Sequence, residues 1–234
     1  MVSRLAIIPA RGGSKRLPRK NIMTLHGKPM LAWTIDAALE ANIFDRVLVS
    51  TDDPEIAEIA RKHGAQVPFL RQSSADDYAS VSQAVLAALT QAEQFWDEAY
   101  TTVAQLMPNC PLRSSEDVLR GLEYFDDGTH LFQISAFRYG WMNPWWAFQL
   151  KDAGKPDLIF EGAESVRSQD LPQLYCPTGA LWIADRKAFM KSGTFYGDGW
   201  RSCELDWMSA IDIDDLADFR MAEMALAMRE VSAR

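Results

Sequence analysis

Cysteine is scarce: Cys110, Cys176 and Cys203 form no CxxC pair and no zinc-like spacing. The odd count and wide spacing exclude a disulfide framework and fit a reducing compartment. Histidine is equally scarce, and His26, His63 and His130 have no partners at metal spacing. No stretch reaches the ~20 apolar residues that a membrane helix needs. The short apolar run near the N-terminus lacks the length and cleavage site of a signal peptide. A cytoplasmic protein without membrane contact is expected. Low-complexity segments and internal repeats are absent, and 48% hydrophobic with 24% charged residues is ordinary globular composition. With 234 residues and no clear linker, one domain spanning 1–234 is expected.

The last absence is local. No acidic residue precedes Asp36, yet seven Lys or Arg do, five of them between Arg11 and Lys20. The whole chain carries a net charge of −8. An acidic protein is a poor partner for nucleic acid, because phosphate backbones attract basic surfaces. A cationic patch on such a protein points instead to a small anionic ligand.

Leu5–Pro9 is a continuous apolar run ending in a Gly-rich turn, the pattern of a buried parallel strand. Strands are also predicted at 46–51, 66–70, 101–107 and 180–183. Helices are predicted at 29–41, from the Asp52-Asp53-Pro54 cap to His63, at 79–96, at 114–124 and at 215–228. In the last of these Met221, Met224 and Met228 stand at core-filling spacing. Alternating strands and helices imply an α/β fold with an open, mostly parallel sheet. The alternation breaks between 130 and 175, where Tyr139, Trp141, Trp145, Trp146 and Phe148 crowd together. That segment reads as an inserted β-rich lobe, its aromatics forming either an oligomer interface or a local core.

In an open parallel sheet, ligands bind at the carboxyl ends of strands. The turn after the first strand reads IPARGGSKRLPRKN. Gly12 and Gly13 let the backbone approach a ligand, and Arg11, Lys15 and Lys20 supply positive charge, a combination that holds phosphates. It is neither a Walker A loop nor GxGxxG; the bland alternative is a solvated basic turn. Near the other end, Asp212 and Asp214 lie two apart, so in an extended segment their carboxylates share a side. Such a pair can hold Mg²⁺ on phosphate oxygens. Alternatively Asp214 or Asp215 starts the last helix.

With both motifs in view, the chain resembles the acylneuraminate cytidylyltransferase family (CMP-sialic acid synthetases), including the relatives that activate pseudaminic or legionaminic acid. The resemblance covers nearly the whole chain, and ARGGSKRLPRKN matches the ARxGSKxxxxKN loop of the family. It implies a Rossmann-like sheet with helices on both faces, a dimerisation lobe at 130–175 and a homodimer. It also implies Mg²⁺-dependent transfer from CTP to a nonulosonic sugar acid, with pyrophosphate released. Arg11, Gly12, Gly13, Ser14, Lys15, Lys20 and Asn21 would then bind nucleotide and triphosphate, with Arg11, Lys15, Lys20 and Asp212 catalytic. Arg71 stands after a short strand, where the family has a nucleotide-contacting Arg. Ser80 ends the segment Asp77-Tyr78-Ala79-Ser80, similar to a D-x-[AS]-[ST] helix start. Gln105 is assigned to nucleotide and sugar. Arg167, Gln169 and Tyr175, in a segment resembling RxQxxPxxYxxxG, are assigned to the sugar. Asp212 and Asp214 match the metal pair.

The chain departs from the family at four places. Asn109 and Cys110 replace the usual Thr-Ser before Pro111-Leu112-Arg113, and Thr178 stands where Asn is common. The run MNPWW (142–146) offers no sugar-contacting Lys, and Trp145 and Trp146 would suit a more apolar substituent. Rival readings are a ketodeoxyoctonate-type cytidylyltransferase, a DxD glycosyltransferase of similar fold and a non-catalytic nucleotide-binding protein.

Overall fold

The first strand, β1 (Arg4–Pro9), shows why its run is unbroken. Leu5 and Ile7 pack into one apolar core, Ala6 and Ile8 into another, and all four are fully buried. A strand covered on both faces needs apolar residues at every position. The computed structural model describes residues 2–71 and 80–232. After β1 come a 3-10 turn at Lys20–Ile22 and a small ladder of β2 (Thr24–Leu25) with β3 (Lys28–Pro29). Then follow α1 (Met30–Glu40), β4 (Arg46–Ser50), α2 (Pro54–Lys62), α3 (Val81–Trp96), β5 (Thr102–Gln105) and α4 (Ser115–Asp127). The second half contains β6 (Phe132–Arg138), β7 (Phe148–Leu150), β8 (Pro156–Leu158), β9 (Tyr175–Asp185), α5 (Arg186–Ser192), β10 (Arg201–Glu204) and α6 (Leu216–Ser232).

The central sheet has the order β10-β6-β9-β5-β1-β4. Five of its strands run the same way; β9 alone is antiparallel to both neighbours, β5 and β6. One face is covered by α1, α2 and α4 through residues such as Ile35, Ile56 and Leu122. The other is covered by α3 and α5 through Val85, Leu89 and Phe189. The expected open, mostly parallel sheet with helices on both faces is what forms. Among the described residues, no helix is long and apolar enough to cross a membrane.

Several expectations are corrected. Residues 66–70 are not a strand: only Gln66 makes a single bridge, to Leu48. Pro68 has no N–H to continue a ladder, and the Arg61 guanidinium takes the Val67 carbonyl at 2.6 Å. Residues 132–138 belong to the central sheet as β6, so the excursion leaves it after Arg138 rather than at 130. That excursion holds one hairpin, β7–β8, among 3-10 turns. Trp145 and Trp146 pack within it: their indole N–H groups donate to the carbonyls of Pro172 and Ala163. Along α6 the methionines face outward, with Met224 63% exposed, while Phe219, Ala222, Ala225 and Leu226 are buried. The helix has two apolar stripes, and the one with small alanines allows close approach to Leu112, Ile211 and Ile213.

Helix α4 starts where the sequence places it. The Ser114 hydroxyl accepts from the Asp117 N–H at 3.1 Å, and the Asp117 carboxylate accepts from the Ser114 N–H at 3.0 Å, a reciprocal capping box. Ser114→Ala is expected to cost about 1 kcal/mol. In a chain of this size thermal unfolding should then drop by roughly 2–4 °C; an unchanged midpoint would show that the cap contributes nothing.

Candidate active site

The chain leaves β1 for β4 on one side and returns to β5 on the other. Their connections diverge at the carboxyl ends, which opens a crevice between β1 and β5. A cavity of about 590 Å³ lies there. It is lined by Arg11, Ser14, Lys15, Lys20 and Asn21 from the loop after β1, and by Arg71, Ser80 and Asp214 from three other segments. Eight sequence-predicted positions therefore share one cavity. The Asp77–Ala79 part of the predicted helix start lies outside the described residues; Ser80 caps α3 in a capping box with Gln83.

Side chains lock the loop in place. The Asn21 amide donates to the Arg11 carbonyl at 2.9 Å, tying its two ends together. The Gly12 N–H donates to Asp52 Oδ1 at 2.9 Å. A Cβ at Gly12 would lie 2.6 Å from Asp53 Oδ2, so this glycine is required by close approach to the turn before α2. At Gly13 a Cβ would meet nothing within 4 Å. Arg19, left-handed at φ 58°, ion-pairs with Asp53 at 2.5 Å and with Glu55. Burial would raise the Asp53 pKa, but N–H donors of Ile56 and Glu55 and the Arg19 guanidinium hold it below the usual range. The Asp52-Asp53 pair, predicted only as a cap, thus also anchors the basic loop.

The electrostatics are those of an anion site. Arg71 is 5% exposed, and its Nε has no partner among the described residues. Burial lowers its pKa; Asp52 opposes that, and the charge of Arg11 adds to it. A buried guanidinium whose charge is disfavoured by a neighbouring Arg11 is poised for an anion. Lys20 Nζ donates to the Ile213 carbonyl at 2.7 Å and to Asp214 Oδ1 at 2.9 Å. Arg16 takes Asp214 Oδ2 at 2.6 Å. Burial would raise Asp214, yet Lys20 and Arg16 hold it below the usual carboxylate range. Asp212 goes the other way: burial, then the Asp214 charge, push it up to about 6 against the pull of Lys20. A carboxylate pair in which one member resists ionisation suits a hard divalent cation, which removes the repulsion. The residues at 212 and 214 fit Mg²⁺ on that ground.

The sugar-assigned residues do not join this cavity. Gln169 lines a second one, of about 500 Å³, with Arg138, Tyr139, Glu204, Asp206 and Trp207. Arg167 is exposed and pairs with Asp170 at 2.7 Å. Tyr175 is exposed at the start of β9. Gln105 is fully buried in β5; its Nε2 donates to the Gly179 carbonyl at 3.2 Å, and its Oε1 has no partner among the described residues. Sequence reasoning gave no role to Arg16 or to the Asn109 side chain, which both line the first cavity. Arg16 sits inside the basic run, so charge alone could have found it.

A family model described as Cytidylyltransferase matches residues 5–132, and a pseudaminic acid cytidylyltransferase from Campylobacter jejuni (strain 81-176) is 35% identical over 232 residues, 98% of each chain. The chain belongs to the cytidylyltransferase family. A CMP-N,N'-diacetyllegionaminic acid synthase from Legionella pneumophila is 33% identical over 232 residues, 97% of each chain. Among solved structures, a CMP:2-keto-3-deoxy-manno-octonic acid synthetase complexed with CTP matches this cytidylyltransferase with a TM-score of 0.69. That likeness covers 97% of this chain and 99% of the other at 16% identity, and it is a likeness of fold. The enzyme is a nucleotidyltransferase, and the first cavity lies at the carboxyl ends of parallel strands, where open α/β sheets bind ligands.

The raised Asp212 gives a stability signature. Its folded pKa of about 6 exceeds the ordinary 3.8, so the fold favours the protonated carboxyl. That contribution is fully present below the ordinary value and is lost as pH rises through about 6. In chelator and without nucleotide, Asp212→Asn should therefore unfold at a higher temperature than the parent cytidylyltransferase at neutral pH. The gain should vanish below about pH 4, where both carry a neutral group. A variant less stable than the parent at neutral pH would contradict the assignment.

Proposed function

We propose that this cytidylyltransferase activates a nonulosonic, sialic-acid-like sugar acid, taking CTP and releasing pyrophosphate in a Mg²⁺-dependent reaction. The observation that carries this reading is the cavity between β1 and β5, where Arg11, Lys15, Lys20 and the buried Arg71 line the same space as Asp214. Four cations match a triphosphate in charge. The likeness to enzymes named for pseudaminic and legionaminic acid over nearly their whole length supports the sugar class.

Asp212 and Asp214 would hold the Mg²⁺, with phosphates and waters completing its shell, as this ion prefers. The metal would supply Lewis-acid charge at the phosphates. Arg11, Lys15 and Lys20 bind the triphosphate and neutralise the charge that builds on departing pyrophosphate. The sugar's anomeric hydroxyl loses its proton and forms a bond to the α-phosphorus as the bond to the β-phosphate oxygen breaks. Asn21 keeps the loop closed by holding the Arg11 carbonyl. Arg167 clamps the sugar carboxylate: its present ion pair with Asp170 is exposed, so exchanging that partner costs little. Gln169 and Tyr175 are assigned to the same sugar, and Gln105 Oε1, without a partner among the described residues, is an acceptor for a hydroxyl.

We assign the working form as a homodimer joined through 139–174. Trp141 is 86% exposed and Leu150 72%, and all six residues of the β7–β8 hairpin are exposed. Apolar surface of that kind marks interfaces. The full chain should sediment as a dimer at micromolar concentration, and Leu150→Asp should shift it to monomer; a monomeric parent would refute the assignment. Three free thiols, Cys110 among them buried, support a reducing cytoplasm as the compartment.

The reaction is tested by pyrophosphate release with Mg²⁺, each common nucleoside triphosphate, and a panel of nonulosonic acids plus ketodeoxyoctonate. Release is expected only with CTP and a nonulosonic acid. Lys20→Ala should lower kcat/KM by about 10²-fold or more with its fold intact. Full activity in that variant, or release with ketodeoxyoctonate alone, would sink the scheme.

A further inference from the structure

Three departures from the family pattern, at 109, 110 and 178, meet in space. Thr178 Oγ1 lies 3.8 Å from Cys110 Sγ, donates to the Ala210 carbonyl at 3.0 Å and accepts from the Ala180 N–H at 3.3 Å. The Ile213 N–H donates to the Asn109 carbonyl at 2.8 Å. Asn109 Nδ2 donates to the Ile213 carbonyl at 3.3 Å and to Asp212 Oδ1. The segment carrying the carboxylates is thereby stapled at Ala210 by Thr178 and at Ile213 by Asn109. Both partners of the Asn109 amide are pure acceptors, so its nitrogen must face them.

We propose that Asn109 is the positioning residue for Asp212, holding it in the orientation that receives the divalent cation; this rests on Asp212 and Asp214 being the metal pair. The two carboxylates are held by opposite means. Asp214 is engaged on both oxygens by cations, Lys20 and Arg16. Asp212 is held by a neutral amide, which fixes a direction without cancelling the charge that a cation needs. Asn109 lines the cavity, is 4% exposed, and its Oδ1 is buried with no partner among the described residues. A threonine or serine at 109 has a shorter arm and one polar atom, and cannot serve both ends as an amide does.

The test measures Mn²⁺ binding by electron paramagnetic resonance titration in the presence of CTP, and CTP binding without metal by calorimetry. Asn109→Leu matches the side chain in size and removes the donor. It should weaken Mn²⁺ by about 10–100-fold and leave metal-free CTP affinity within about twofold, as expected for loss of a partner behind a metal ligand. The Mg²⁺ concentration for half-maximal rate should rise with it. Asn109→Ser, which keeps a donor on a shorter arm, should fall between parent and Asn109→Leu, and it carries the same decision if Asn109→Leu does not fold. Unchanged Mn²⁺ affinity in the Asn109 variants, with loss in Asp212→Asn, overturns the role of Asn109 while the metal pair stands. Unchanged affinity in Asp212→Asn removes the metal reading and this inference with it. Equal losses of Mn²⁺ and metal-free CTP binding in the Asn109 variants would mean a collapsed loop and would also overturn it.

Discussion

Everything in the first cavity depends on holding like charges together. Arg11, Lys15, Lys20 and Arg71 line one space, and Arg71 already has its pKa lowered by burial and by Arg11. Two unit charges at contact repel by about 4 kcal/mol at the effective dielectric of a protein surface. The fold answers with carboxylates set behind the cations. Asp52 takes the Gly12 N–H and opposes the lowering of Arg71, Asp53 takes Arg19, and Asp214 takes Lys20 and Arg16. Those carboxylates come from the end of β4 and from the segment before α6, so the basic loop is held by parts of the chain far from it in sequence.

This dependence explains what was legible in the residues alone. The unbroken apolar run of β1 is forced by burial on both faces, and the Gly pair and cations after it mark a phosphate site by composition. Asp53-Pro54 and Ser114 announce helix starts, because their side chains satisfy backbone donors within three residues. Local chemistry of that kind is written locally. The direction of β9 is not: nothing in its residues says that it runs against β5 and β6, and its reversal makes the alternation seem to break at 130. The edge strand β10, Arg201–Glu204, is mostly polar and gives no apolar signal. The outward methionines of α6 mislead because small alanines, not large side chains, decide which stripe packs.

The site was legible to the same depth. Residues in one loop were found together because they are neighbours in sequence. Asn109 was noticed only as a departure from a family pattern; its bond to Asp212 spans 103 positions and exists only in the folded chain. The sugar-assigned Arg167 and Gln169 share a sequence segment but not the nucleotide cavity, since 3-10 turns of the excursion carry them away from the end of β1.

The carboxylate pair carries a tension of its own. Asp212 resists ionisation while Asp214 is over-supplied with cations, an imbalance two residues wide. A divalent ion held by the pair, as proposed above, would resolve both sides: it would make the Asp212 charge favourable and would compete with Lys20 and Arg16 for Asp214. Lys20 and Arg16, which line the same cavity, would then be available to the proposed triphosphate. On that proposal metal and nucleotide would each remove an obstacle to the other, and their binding would be cooperative. A neutral holder at Asp212 would keep this exchange open, because a cation at 109 would settle the charge before a metal could.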